Sequence, residues 1–131
     1  MSKKIMVIDD ERDILLLLKV LFEKEGYEVI EATTGLEAYN KLTDKLNPVK
    51  PDLIILDIMM PEMDGYTFQT KMMESDELRK IPIIVLTAKG QIRDIFEMAS
   101  NVYSFVEKPF DSKNFLKIVK EALEYGTKNN P

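Results

Sequence analysis

The chain has 131 residues, 45% hydrophobic and 31% charged, with a formal net charge of −5. That size suits one domain with one core, and the acidic balance argues against nucleic-acid binding, which calls for a basic patch. Cysteine and histidine are both absent, which excludes disulfides, thiolate or imidazole metal sites, and any histidine or cysteine base or nucleophile of the chain's own.

No apolar run approaches the roughly 20 residues that span a bilayer. Met1-Ser2-Lys3-Lys4 enters the first apolar run without a signal-peptide layout. A cytoplasmic domain without membrane contact is the expectation, and the lack of cysteine fits a reducing compartment.

Strand-like and helix-like patterns alternate five times along the chain. The first strand is expected from Lys4 to Asp9, where Ile5-Met6-Val7-Ile8 stops at Asp9-Asp10. The first helix follows from about Glu11 to Glu25, with Gly26 as its C′ residue. It is too apolar for one buried face. At 100° per residue, Ile14, Leu17 and Leu21 form the expected core stripe. Leu15, Leu18 and Phe22 then form a second stripe, expected to be exposed and to dock a partner, with Leu16 and Val20 as a third flank.

The second strand runs from Glu28 to Glu31. The second helix starts at Thr34, with Glu37 completing a capping-box pattern, and carries Ala38, Leu42 and Leu46. Asn47-Pro48-Val49-Lys50-Pro51 reads as a loop. The third strand, Asp52 to Leu56, stops at Asp57. The third helix opens near Asp64-Gly65 and includes Phe68, Met72 and Met73.

The fourth strand follows Pro82, and its run Ile83-Ile84-Val85-Leu86 stops at Thr87. A fourth helix holds Ile92, Ile95, Phe96 and Ala99. The fifth strand, Val102 to Glu107, stops at Lys108-Pro109. A fifth helix starts near Asp111 or Ser112, with Phe115, Ile118, Val119, Ala122 and Leu123 on one face. The domain is expected over residues 1–124, and residues 125–131 as a polar tail or the start of a linker.

Short unbroken apolar runs suit parallel strands whose two faces are both covered by helices. With right-handed crossovers the pattern gives an α/β fold, a doubly wound, flavodoxin-like five-stranded parallel sheet in the order 2-1-3-4-5. In such sheets the working crevice lies beyond the carboxyl ends of the strands. Asp9, Asp10, Asp57, Thr87 and Lys108 should converge there.

Carboxylates gathered in one crevice repel one another, and a divalent cation removes that cost. Mg2+ suits one or two carboxylates plus waters and phosphate oxygens. A carboxylate such as Asp57 can attack a phosphoryl group, and that transfer depends chiefly on positioning and charge neutralisation. Lys108 would supply a positive charge and Thr87 a hydroxyl donor. Singly, each of these is ordinary: a solvated turn, a surface lysine, a strand-end hydroxyl. Their joint placement at strand ends carries the functional reading.

Over about residues 3–124 the chain resembles a response-regulator receiver domain of two-component signal transduction, chemotaxis-regulator-like. The matching motifs are Val7-Ile8-Asp9-Asp10-Glu11, Leu56-Asp57-Ile58-Met59-Met60-Pro61-Glu62-Met63-Asp64-Gly65, Leu86-Thr87-Ala88 and Lys108-Pro109-Phe110. The resemblance implies that Asp57 is the phosphoacceptor, that Asp10 and Asp57 ligate Mg2+ directly, and that Asp9 acts at least through water. It implies a further ligand in the Met59 backbone carbonyl, phosphoryl contacts from Thr87 and Lys108, and a cis Lys108–Pro109 bond. It also implies a domain that catalyses only its own phosphorylation and dephosphorylation. Its partners would be a sensor histidine kinase or a histidine phosphotransfer protein and a downstream target, and it would act as a monomer or a phosphorylation-linked homodimer.

The family often has a switch tyrosine three residues before the lysine. Here that place holds Phe105, with Tyr103 two residues earlier and on the same side by strand alternation. Phe105 and Thr87 are the expected switch, acting on the face made by the fourth helix, the fifth strand and the fifth helix. Met59 and Lys89 are expected to tune phosphoryl lifetime. The family often has Gly-Ala where Ser100-Asn101 stands here.

Rival readings fit less well. A flavin binder would need a Ser/Thr/Gly-rich loop where Asp9-Asp10-Glu11 stands. A P-loop enzyme lacks its Gly-x-x-x-x-Gly-Lys pattern. A haloacid-dehalogenase-type phosphatase would want aspartate where Met59 stands. The remaining alternative is a non-phosphorylated pseudo-receiver acting as an interaction module.

Overall fold

The computed structural model describes residues 2–57, 65–88 and 102–129. Met59, Lys89 and the predicted fourth helix lie outside the described residues. The described elements are β1 (Lys4–Ile8), α1 (Arg12–Lys24), β2 (Glu28–Ala32), α2 (Gly35–Leu42), β3 (Leu53–Asp57), α3 (Gly65–Met73), β4 (Ile83–Ala88), β5 (Val102–Lys108) and α4 (Ser112–Asn129), with a 3-10 turn at Leu78–Lys80. The sheet is parallel throughout, in the order β2-β1-β3-β4-β5.

Every side chain of β3 is buried, as the apolar run required. Strand alternation sorts the core into two layers. Met6, Ile8, Ile54 and Leu56 pack with Ala38 and Leu42 of α2 and with Phe68 and Met72 of α3. Ile5, Val7, Leu53 and Ile55 pack with α1 and with Phe115, Val119 and Ala122 of α4. Each such aliphatic side chain contributes about 1.5–3 kcal/mol by leaving water.

α1 ends as Gly26 allows. Gly26 has φ +88°, and its N–H donates to Glu23 O while that of Tyr27 donates to Phe22 O. That closure needs a left-handed residue at the C′ position. The phase of α1 differs from the expected one. Leu15, Leu18 and Phe22 are buried, and it is Leu16 (61%), Leu17 (47%) and Val20 (57%) that are exposed. The stripe assigned to partner docking is therefore core. Ile14 and Leu21 pack only at its margin. A helix with three apolar stripes has no periodicity signal for which one faces the sheet, and the bulkiest continuous row, ending in Phe22, takes the interior.

α2 is capped by Thr34, whose Oγ1 accepts from Glu37 N at 3.0 Å. The Glu37 carboxylate reaches back one residue further than in a standard capping box, accepting from Thr33 N at 2.6 Å. The helix stops at Leu42, short of Leu46. Asp44 Oδ1 accepts from Leu46 N at 2.8 Å and Asn47 N at 2.9 Å, a local turn that competes with helix. Leu46 is 89% exposed.

At the outer edge of the sheet, Lys41 Nζ donates to Glu31 O at 2.6 Å, and Lys19 Nζ lies 3.9 Å from Glu31 Oε1. Glu28 N and Ala32 O bond towards β1, so by alternation the Glu31 carbonyl faces away from the sheet.

Two further expectations change at the C-terminal end. Consecutive Ile83 and Ile84 face Val102 and Ser104, leaving Tyr103 as an extra residue in β5. The bulge breaks the alternation, so Tyr103 joins the α1–α4 layer while Phe105 joins the opposite one. The expected polar tail is helical as far as Asn129. Tyr125 stacks on Tyr103 with ring centroids 5.3 Å apart. A Cβ on Gly126 would lie 3.3 Å from Pro82 Cγ, so glycine lets the helix come close to that residue.

Candidate functional site

β1 and β3 end side by side, with Ile8 in register with Leu56, which delivers Asp9 and Asp57 to one edge. β4 pairs with β3 through Leu86 and Asp57, and Thr87 is the next residue. β5 brings Lys108 opposite Ala88. The Lys108–Pro109 peptide is cis.

Asp9 is fully buried, and Asp57 and Thr87 are nearly so. Asp10 and Glu11 are exposed. One carboxylate oxygen from each of Asp9, Asp10, Glu11 and Asp57 falls within 4.8 Å of the others. Glu11 is the member that sequence reasoning did not single out. Its signal was its place directly after Asp9-Asp10, at the turn into α1.

One lysine sits against this charge. Lys108 Nζ donates to Asp9 Oδ2 at 3.1 Å and lies 3.6 Å from Asp57 Oδ2 and 3.7 Å from Glu11 Oε1. Burial works to lower the pKa of its ammonium. Asp57, Asp9 with its hydrogen bond, and Glu11 outweigh burial and hold it above the usual lysine value. Asp9 Oδ1 also accepts from Glu11 N at 2.9 Å, fixing the turn.

Thr87 stands apart. Its Oγ1 is buried and has no hydrogen-bond partner among the described residues. Buried hydroxyls are normally paired, and an unpaired one costs roughly 1–3 kcal/mol. A polar ligand arriving at this edge would remove that cost.

The donor set is hard oxygen, which matches Mg2+ and excludes soft-metal preference. Among the described residues, four carboxylates against the Lys108 ammonium leave the cluster anionic, so a divalent cation fits the charge as well as the ligand type. Of the other expected site residues, Phe105 is partly buried against the α2–α3 layer, and Met59 and Lys89 lie outside the described residues. Leu15, Leu18 and Phe22 belong to the core.

Sheet order and strand-end charges together define a doubly wound α/β module with an acidic crevice at its carboxyl edge. A family profile described as response regulator receiver domain matches residues 5–120. The chain is 36% identical over 127 residues to Response regulator SaeR of Staphylococcus epidermidis, covering 96% of this chain and 52% of that protein. It is 38% identical over 124 residues to Transcriptional regulatory protein SrrA of Staphylococcus aureus, covering 94% and 48% respectively. It thus spans about half the length of these curated relatives. Among solved structures, the signal receiver domain of a signal transduction histidine kinase from Syntrophus aciditrophicus superposes with a TM-score of 0.84 at 32% identity, covering 94% of this chain and 91% of that one.

The chain belongs to the response regulator receiver domains of two-component signalling. As such it is a signalling module and not an enzyme. None of the helices among the described residues is long and apolar enough to cross a membrane.

Proposed function

We propose that this domain is a phosphorylation-dependent switch in which Asp57 accepts a phosphoryl group from a histidine of a partner, a sensor histidine kinase or histidine phosphotransfer protein. The supporting observation is the crevice itself: clustered carboxylates, the Lys108 ammonium within reach of three of them, and a buried threonine hydroxyl with no partner among the described residues. The chain has no histidine, so the donor is another molecule.

An Asp57 carboxylate oxygen attacks phosphorus, forming a P–O bond. The P–N bond to the donor imidazole breaks, and its electron pair stays on nitrogen. Lys108 leaves its contact with Asp9 for the incoming phosphoryl oxygens. Thr87 donates its hydroxyl to one of them, which gives a group without a partner among the described residues a partner in the phosphorylated state. Such differential contacts are what shift a two-state equilibrium. Asp10 and Asp57, with Asp9 at least through water and the Met59 carbonyl, would hold Mg2+, which when bound neutralises the carboxylates and the phosphoryl oxygens. Phe105 turning inward then alters the β5 face that a downstream target reads, and Met59 and Lys89 tune how long the phosphoryl group survives.

Intact-mass measurement after acetyl phosphate treatment tests this reading. A phosphate-sized increment is expected with Mg2+, and both a chelator and Asp57→Ala should abolish it. Unchanged labelling of Asp57→Ala would overturn the assignment. No labelling under any condition would favour a pseudo-receiver that acts by contact alone.

A further inference from the structure

We infer that the β5 bulge at Tyr103 couples the phosphoryl crevice to the last turns of α4, through the Tyr103–Tyr125 ring contact. The inference rests on the switch reading above and deepens it by naming a residue route from β5 to the last turns of α4.

β5 is an edge strand with β4 as its one neighbour. Its carboxyl end is tied to the crevice, because Lys108 Nζ contacts Asp9, Glu11 and Asp57. Its amino end carries the extra residue. Without the bulge, Tyr103 and Phe105 would share a face and would both serve the α2–α3 side. With it, Phe105 faces that side and Tyr103 faces α4. Bulges re-aim side chains in this way, and the extra residue leaves the ladder locally free to change pleat.

On the α4 side, Tyr125 meets Tyr103 at 5.3 Å between centroids, with planes inclined by 53°. This lies within the range of favourable aromatic pairs. The next residue, Gly126, sets the helix close to Pro82, just before β4. Among the described residues, the end of α4 thus meets β5 through Tyr125 and comes close to Pro82, beside β4, at Gly126. When Lys108 exchanges its carboxylate contacts for phosphoryl oxygens, β5 is pulled at one end. Tyr103 carries that displacement to Tyr125, while the close approach at Gly126, which leaves little room for a Cβ beside Pro82, limits movement of the helix there. Residues 124–129 then dock differently in the two states.

Hydrogen exchange of the full chain, with Mg2+ and with or without beryllofluoride as phosphoryl mimic, tests the coupling. Exchange at residues 124–129 is expected to change by roughly threefold or more on adding the mimic, the scale set by gain or loss of one aromatic pair. In Tyr103→Leu and in Tyr125→Leu that change should vanish, while fluorine NMR still shows the mimic bound. Tyr125 is half-exposed, so its variant keeps the test open if Tyr103→Leu folds poorly. A bound mimic with unchanged exchange at 124–129 in wild type would overturn the coupling alone, as would an undiminished change in both variants. Failure of the mimic to bind wild type would overturn the phosphoacceptor reading, and this inference with it.

Discussion

The two ends of the sheet are finished in opposite ways. At the amino end the polar groups pair with one another. Lys4 N donates to Asp52 Oδ2 at 2.8 Å, Asp52 N to Lys4 O at 2.7 Å, and Ile54 N to Pro82 O at 3.1 Å. At the carboxyl end, four carboxylates cluster, Lys108 Nζ contacts three of them, and the buried Thr87 hydroxyl has no partner among the described residues. The strands between them are alike, so the difference lies in what the sequence places at each terminus. Among the described residues, one end pairs its own polar groups, and the other keeps a buried hydroxyl and a carboxylate cluster that suit a polar ligand.

The largest expected effect comes from removing the Lys108 ammonium, which among the described residues pairs with three carboxylates of the carboxyl end. In Lys108→Met, the buried Asp9 and Asp57 lose the Lys108 ammonium from beside them. With chelator present, urea denaturation should show a loss of about 2–3 kcal/mol. The ammonium pKa is raised by folding, so its contribution is complete below the ordinary lysine value of 10.5 and fades as pH rises through the higher folded value. The gap between wild type and Lys108→Met should therefore close only at strongly alkaline pH. A gap that closes near neutrality would mean that the carboxylates, and not the lysine, set it.

Thr87→Val sharpens the contrast with the opposite sign. Removing an unpaired buried hydroxyl should stabilise the unphosphorylated domain by about 1 kcal/mol. The same change should weaken the response to beryllofluoride, because the hydroxyl is wanted only then. Destabilisation of about 1 kcal/mol or more would show that Thr87 is paired in solution, and the two ends would no longer differ in this respect.

The smallest effect belongs to the amino end. Asp52→Ala removes one exposed hydrogen bond to Lys4 N, for a cost of about 0.5–1 kcal/mol. Acetyl phosphate labelling at Asp57 should be unchanged. Impaired labelling would show that the amino end is not purely structural.

The sheet was readable because strands covered on both faces leave unbroken apolar runs, and each run stopped at a residue with its own chemistry. Asp9, Asp57, Thr87 and Lys108 were visible for the same reason. The phase of α1 was not readable, since a helix with three apolar stripes satisfies the period in more than one rotation. Tyr103 was misplaced because period-two reasoning assumes a regular ladder, and nothing local in Val102-Tyr103-Ser104 announces a bulge. The helical stretch from Tyr125 to Asn129 was missed because the Tyr103–Tyr125 ring contact and the close approach at Gly126 are tertiary and leave no periodic signal. Leu46 fell outside α2 because the Asp44 side chain closes a turn of its own.

The α2 lysine that reaches the outer edge of β2 bears on how the protein behaves at high concentration. An open parallel edge offers its outward carbonyls to any passing strand, which is the first step of edge-to-edge aggregation. Here the Glu31 carbonyl is already taken by the Lys41 ammonium, with Lys19 beside the Glu31 carboxylate. A sixth strand arriving there would have to displace that ammonium and bury charge. Lys41→Leu should therefore leave the monomer folded while making it prone to form thioflavin-positive aggregates on concentration.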